Sequence, residues 1–268
     1  MLLAICATPI GNLADVTLRV LDELREADVV LCEDTRHTRL LLERHGIRAR
    51  LLSYHAHNEA ERTADVLTRL ERGERVALVS DAGLPGVSDP GAFVVRAAVE
   101  RGIAVTVLPG PSAVETALVA SGLAGGGYTF VGFLPRREAE LAELWRELRD
   151  TRLPVVAFEA PRRLPATLRS LAAAAPARPV AVCRELTKRF EEVVRGPAAE
   201  VSASFEEPPK GEIALVIGPG EPGGNEDVPA ALAAMAELLA AGTPRKLAAE
   251  VVSRLTGVAR NDLYRGSL

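Results

Sequence analysis

The chain has 268 residues, 48% hydrophobic and 25% charged, with a formal net charge of −4. That length suggests about two domains with a sizeable core, and the balance of charge excludes a polycation, so any contact with nucleic acid must come from local basic patches. Three cysteines, Cys6, Cys32 and Cys183, sit in apolar runs without a CxxC pair, and together with the four histidines they show no zinc-ligand spacing. They read as inert buried thiols in a reducing compartment. The start, Met1–Ala7, lacks the basic region and length of a signal peptide, and no apolar run is long enough to span a membrane, so a cytoplasmic location is expected.

In chain order, Leu2–Ala7 reads as a strand, followed by a helix near Asp15–Glu26, a strand at Val29–Cys32 and a helix around Thr38–His45. Arg75–Ser80 precedes a helix near Ala92–Arg101, and Ile103–Leu108 precedes one beginning near Ser112. Strands alternating with helices predict a mostly parallel sheet with helices packed on it. The second half repeats the style less regularly, with strands at Thr129–Phe133, Val155–Phe158, Val180–Cys183 and Ile213–Ile217 and a helix over Glu138–Arg149. Glu191–Gly196 suggests a further, more exposed strand. Pro109–Ser112 is the expected hinge between an N-terminal α/β domain (1–109) and a C-terminal α/β domain (110–220). Gly218–Asn225 has linker composition, and 226–268 is expected to form a small helical extension with helices at Val228–Ala241 and Lys246–Leu255.

The densest signal is Ser80-Asp-Ala-Gly-Leu-Pro-Gly-Val-Ser-Asp-Pro-Gly91, where glycines, prolines and aspartates crowd the end of an apolar run. Glycine allows positive φ and a close approach of ligand to backbone. Comparable clusters follow the other strands of the first half: Thr8–Asn12, Glu33–Arg36 and Pro109–Ala113. In an open parallel sheet the carboxyl ends point one way, and ligands bind in the crevice outside them. Neither GxxxxGK[ST] nor GxGxxG is present, so nucleotide-triphosphate and common dinucleotide modes are disfavoured. The turns suit an adenosine-containing thioether or sulfonium held by backbone contacts and apolar walls.

TPIGN (Thr8–Asn12), EDTRHT (Glu33–Thr38), SDAGLPGVSDPG (Ser80–Gly91) and LPGPSA (Leu108–Ala113) together resemble the tetrapyrrole methylase superfamily. Phe130–Pro135, Phe158–Arg162 and Arg184–Lys188 extend the resemblance from Leu3 to Gly218. TPIGN stands where tetrapyrrole-modifying members carry a GxGPGD-like turn, which places the chain on the RNA-methylating branch. The resemblance implies two α/β domains with S-adenosylmethionine (SAM) in the cleft between them. The implied acceptor is the ribose 2′-hydroxyl of a cytidine in the decoding region of 16S rRNA, within the small ribosomal subunit, and a homodimer is implied too. A tetrapyrrole C-methyltransferase and a non-catalytic RNA-binding assembly factor are the rival readings.

By the same resemblance, Pro9 packs beside the cofactor, and Asp81, Ala82, Gly83 and Gly86 shape its methionine and sulfonium end. Ser112 and Ala113 belong to the cofactor loop, and Phe158 with the turn before Ile213, at Glu212, supplies adenine contacts. Asp81 either accepts from the cofactor's amino group or makes an N-cap or Asx-turn. Removing the hydroxyl proton calls for a carboxylate or histidine within reach. Asp34, Glu33, His37, His57, Glu59, Glu159 and Glu185 are the candidates, and Asp34, Arg36 and Glu59 form the catalytic set, with Asp34 the first choice. A local Asp34–Arg36 ion pair is the competing reading. For phosphates, Arg36, Arg39, Arg44, Arg48, Arg50, the pairs Arg136-Arg137, Arg162-Arg163 and Lys188-Arg189, and the basic tail from Arg245 are the candidates.

Overall fold

The apolar runs of the first half form five strands, β1 (Leu2–Cys6), β2 (Val29–Cys32), β3 (Leu51–Ser53), β4 (Arg75–Leu78) and β5 (Ala104–Leu108), which pair parallel in the order β3-β2-β4-β1-β5. The computed structural model describes residues 2–220, 228–256, 258 and 260–266. Both faces of the central strands are covered, so β1 and β2 are apolar along their whole length rather than at alternate positions, while β5 at the edge is partly exposed. Leu3, Ile5, Val29, Leu31, Val76 and Leu78 pack under α3 (Glu59–Glu71) and α4 (Ala92–Glu100). Ala4, Cys6, Val30, Cys32 and Ala77 face the other way, under α1 (Leu18–Glu26) and α2 (Thr35–Arg44). The Thr17 hydroxyl caps α1 by accepting the Val20 N–H at 3.3 Å. Arg75 at the start of β4 fastens α1 to the sheet through the buried Glu23, at 2.7 and 2.8 Å, and through Glu26.

The second sheet has the order β6-β7-β10-β8-β9, with strands Thr129–Phe133, Val155–Glu159, Pro179–Arg184, Glu192–Pro197 and Ile213–Ile217 as β6 to β10. Only β6–β7 is parallel in it; β7–β10, β10–β8 and β8–β9 are antiparallel. The parallel style expected of the first half therefore does not extend to the second. Residues 155, 157, 180, 182, 213, 215 and 217 point into one core, under α6 (Glu138–Glu147), α7 (Leu164–Ala174) and α8 (Ala198–Ala203). Residues 156, 181, 183, 214 and 216 point into another, where α5 (Ala113–Ser121) lies. The Pro109–Ser112 segment thus carries the chain from the last strand of the first sheet to a helix packed on the second. Ile10, from the turn after β1, joins that same cluster.

Beyond, α9 (Val228–Ala240), α10 (Arg245–Thr256) and α11 (Arg260–Gly266) bury Ala231, Met235, Ala248, Ala249, Val252 and Leu263 against one another. α11 was not expected from the sequence. Most of the Gly218–Asn225 linker, and the start of the extension at 226, lie outside the described residues. All three cysteines are buried and free, and burial pushes the thiols of Cys6 and Cys183 up to about 12 and about 11. Their burial is what their apolar settings suggested. Among the described residues no helix is long and apolar enough to cross a membrane.

Candidate active site

The turn after β1 is the meeting point of three segments. Thr8 makes a two-way backbone bridge with Gly83, with N···O distances of 2.8 and 3.0 Å, and its hydroxyl donates to the Ser80 carbonyl at 3.0 Å. Gly83, Gly86 and Gly91 take φ of +77°, +86° and +135°, the left-handed region in which a side chain is strained. At Gly91 a β-carbon would also lie 2.8 Å from Leu78 Cδ2, so the loop folds back tightly on its own strand. Ser88 is left-handed too, at +64°, and its hydroxyl approaches Gly132 of β6. The loop therefore reaches from the first sheet to the second.

The opposite wall comes from the second sheet. After β8 the chain turns through Glu185 (φ +52°) and Thr187 (φ +64°), both non-glycine residues in left-handed conformation. The Thr187 hydroxyl accepts the Asn12 N–H at 3.0 Å. The Lys188 ammonium donates to Glu185 at 2.9 Å and to Glu212 at 2.8 Å, and the Glu185 carboxylate also accepts the Glu212 N–H at 3.0 Å. The Glu212 amide and Lys188 hold the Glu185 carboxyl below its usual range. Between the walls lies a cavity of ≈ 120 Å³, bounded by Thr8–Gly11 and Leu13, by His37, Thr38 and Leu41 of α2, by Ser80–Ala82, and by Lys188 and Glu212.

Of the residues expected to bind cofactor, Pro9, Asp81, Ala82 and Glu212 line this cavity directly. Gly83 stands behind it, where a β-carbon would lie 3.8 Å from both Ile10 and the Pro111 carbonyl, so the 110–113 segment is its neighbour. Ser112 is the residue before α5 and donates its hydroxyl to Glu115, which also receives the Tyr128 hydroxyl at 2.5 Å. Ala113 is the first residue of α5. Phe158 lies on the second sheet, edge-on to Phe130 and Phe133 at 5.1 and 5.5 Å between ring centres, in the cluster that contains Ile10. Asp81 makes no turn within its own loop. One of its oxygens accepts the Asp34 N–H at 3.1 Å, and the other lies 3.9 Å from His37 Nδ1, which joins the third cluster to the second.

The expected catalytic set looks different in three dimensions. Asp34 is the N-cap of α2 and takes the Arg36 N–H at 2.8 Å and its guanidinium at 2.6 and 3.1 Å. The Arg36 side chain, then its amide, hold the Asp34 carboxyl far below the usual carboxylate range, which makes it a weak proton acceptor. The competing ion-pair reading describes this geometry. Arg36 itself is 86% exposed, and Glu59 opens α3 without lining the cavity. Glu159 has no exposed side-chain surface and is held by Thr167 at 2.6 Å, its neighbour's amide at 2.7 Å and Arg163 at 3.3 Å, so it is a structural carboxylate.

Two other carboxyls are held closer to neutrality. Asp89 is pushed up to about 6 by burial and by the charge of Glu33, with the Ser80 hydroxyl opposing, and burial with Asp81 raises Glu33. Asp89 stood in the quoted loop, but nothing in the sequence distinguished it from a turn aspartate. Its burial and its acidic neighbours arise only on folding. Outside the cavity, α2 turns Arg36, Arg39 and Arg44 to solvent.

An all-parallel sheet whose carboxyl-end crevice is closed by a second, largely antiparallel sheet defines an α/β protein of the tetrapyrrole methylase kind. A family model described as tetrapyrrole (corrin/porphyrin) methylases matches residues 3–202. A uroporphyrin-III C-methyltransferase from Thermus thermophilus, solved with S-adenyl homocysteine, shares this fold at a TM-score of 0.55 and 20% identity, over 81% of this chain and 96% of that one. A "Ribosomal RNA small subunit methyltransferase I" from Mesorhizobium japonicum is 43% identical over 266 residues, covering 98% of this chain and 90% of the relative. One of the same name from Thermotoga maritima is 43% identical over 216 residues, 80% of this chain but 97% of the relative. The chain belongs to the ribosomal RNA small subunit methyltransferase I family, within the tetrapyrrole methylases.

Proposed function

We propose that the protein transfers a methyl group from SAM to the ribose 2′-hydroxyl of a cytidine in the decoding region of 16S rRNA, presented by the small ribosomal subunit. The observation that carries this reading is 43% identity, over nearly the whole chain, to a relative named for methylating small-subunit rRNA. The crevice fits the cofactor's chemistry. Pro9, Ile10, Leu13 and Leu41 provide apolar walls, while the Asp81 and Glu212 carboxylates suit a cationic ligand. The ≈ 120 Å³ cavity is smaller than the roughly 300–1,000 Å³ that houses a whole small ligand. In this reading it takes one end of the cofactor, and Ser112, Ala113 and Phe158, outside its lining, are assigned to the rest. Bound there, SAM supplies an electrophilic methyl on a sulfonium.

The rest of the chemistry falls to the chain's own residues. The Asp81 oxygen nearer His37 takes the amino group, and the left-handed glycines bring the loop's backbone close to the ligand. Positioning the hydroxyl in line with the methyl supplies much of the rate. Its proton passes to a carboxyl at the ends of β2 and β4. Asp89 stands outside the cavity lining, but its carboxyl, held near neutrality by burial and the charge of Glu33, suits that task better than Asp34. RNA phosphates meet the exposed arginines of α2 and the basic residues of the C-terminal helices. The same reading makes the protein a cytoplasmic homodimer.

Incubation with methyl-labelled SAM and small subunits from cells lacking the modification tests this proposal. Label is expected in 16S rRNA. Transfer to a tetrapyrrole instead, or tight SAM binding with transfer to no acceptor, sinks it.

A further inference from the structure

We infer that Thr187 is a positioning residue for methyl transfer: its hydroxyl, projected by a left-handed backbone, sets the Pro9–Asn12 turn against which cofactor and acceptor are aligned. The inference rests on the methyltransferase reading above and adds a residue that acts through another rather than on the reacting atoms.

The backbone is the first observation. Left-handed φ is uncommon for non-glycine residues and least favourable for a β-branched one such as threonine. Here Glu185 and Thr187 both adopt it, at +52° and +64°, within one turn. Glycine would relieve either position. The side chains are nevertheless engaged, Glu185 on the Glu212 amide and Lys188, and Thr187 on the Asn12 amide across the boundary between the two sheets. Strained conformations of this sort persist where surrounding contacts over-determine them, and they gather at ligand clamps.

The partner turn is shaped to match. Gly11 is not left-handed, so it has no conformational need to be glycine. A β-carbon there would lie 2.5 Å from Lys188 Cγ, 2.8 Å from Thr187 Oγ1 and 2.9 Å from the Leu186 carbonyl. The two turns therefore touch backbone to backbone, and the Thr187–Asn12 bond sits at that contact. Asn12 in turn accepts the Ala14 N–H at 3.1 Å through its side chain and so fixes Leu13, a wall of the cavity. This hydrogen bond therefore pins the Pro9–Asn12 turn, one of the contacts that join walls contributed by both sheets. A displacement of about 1 Å at such a point is enough to lose on the order of 100-fold in rate.

The test compares wild type with Thr187→Ser, Thr187→Ala and Thr187→Gly in Tm, SAM affinity by calorimetry, and kcat and KM on small subunits. Thr187→Ser keeps the hydroxyl and should stay within about threefold of wild type in every reading. Thr187→Ala and Thr187→Gly should lose roughly 10–100-fold in kcat and roughly 5–10-fold in SAM affinity. Thr187→Gly should stay within about 4 °C of wild type in Tm, because it relieves strain as it removes the bond, so its kinetics decide if Thr187→Ala, which keeps the left-handed strain, is less stable. Wild-type turnover in Thr187→Ala, or a Thr187→Ser variant as slow as Thr187→Ala, overturns the inference. So does a loss of activity that a lower folded fraction accounts for in full. If wild type itself transfers no methyl to rRNA, the activity reading fails instead. SAM affinity then decides the inference alone, and unchanged affinity in Thr187→Ala overturns it.

Discussion

Gly11→Ala is the smallest change that should separate the two walls of the crevice. It adds one carbon at a position with ordinary φ, so any effect reports the contact rather than backbone strain. That carbon would meet the Leu186 carbonyl at 2.9 Å and Lys188 Cγ at 2.5 Å. Carbon contacts are comfortable at about 3.5–4.0 Å, so one wall must retreat by roughly 0.5–1 Å. The lysine stem cannot simply swing away, because its ammonium is held by Glu185 and Glu212. Overpacking of this kind costs about 1–3 kcal/mol, which for a protein of this size is a fall in Tm of roughly 2–5 °C. Turnover should fall further than stability, by on the order of 10–100-fold, because alignment across the crevice is disturbed. Calorimetry and transfer of labelled methyl to small subunits measure the two losses, with Gly125→Ala as control, since a β-carbon there meets nothing within 4 Å. A Gly11→Ala protein with wild-type Tm and wild-type kcat/KM would refute the reasoning.

Three other substitutions probe separate parts of the account. Asp34→Ala removes the N-cap of α2 and should lower Tm by a few degrees while leaving measurable methyl transfer; complete loss of turnover with intact folding and SAM affinity would restore Asp34 as the base. Arg75→Ala should destabilise the protein by about 2 kcal/mol in urea unfolding, less than a fully buried pair because Arg75 keeps 37% of its side-chain surface exposed; no change in midpoint would contradict the role given to the Glu23 pair. Asp89 binds its proton more tightly folded than unfolded, so its contribution to stability is full below pH 4 and is lost as pH rises through about 6. Asp89→Asn should accordingly gain stability over wild type at pH 7.5 and lose that advantage near pH 4, while slowing methyl transfer. A constant difference across that range would show that Asp89 does not titrate there.

The elements most legible in the sequence were those buried on both faces. β1, β2 and β4 after Arg75 are continuous apolar runs because helices cover the sheet above and below; β5 at the edge carries Thr106 and leaves Val107 half exposed, and the turn chemistry after each strand pointed to one crevice. Leu51–Ser53 is only three residues long, too short to register as a strand, and α3 was passed over because its apolar positions are few among charged ones. The antiparallel pairing of the second sheet left no mark, since alternate residues face the same two cores whichever way a neighbouring strand runs. In the crevice, the density of glycine correctly signalled left-handed backbone at Gly83, Gly86 and Gly91. The partners were hidden because they are remote in sequence: Asp81 bonds to Asp34, 47 residues earlier, and Asn12 to Thr187, 175 residues later. A local Asp34–Arg36 pair was visible from spacing, and the folded geometry favours that plain reading over a catalytic one.

The central claim is the identity of the methylated atom, and alkaline hydrolysis of the labelled 16S rRNA tests it most directly. A methyl on the ribose blocks the 2′-hydroxyl that attacks the adjacent phosphodiester, so the account predicts label in a single alkali-resistant dinucleotide beginning with cytidine. Label released in a mononucleotide would place the methyl on a base instead of the ribose.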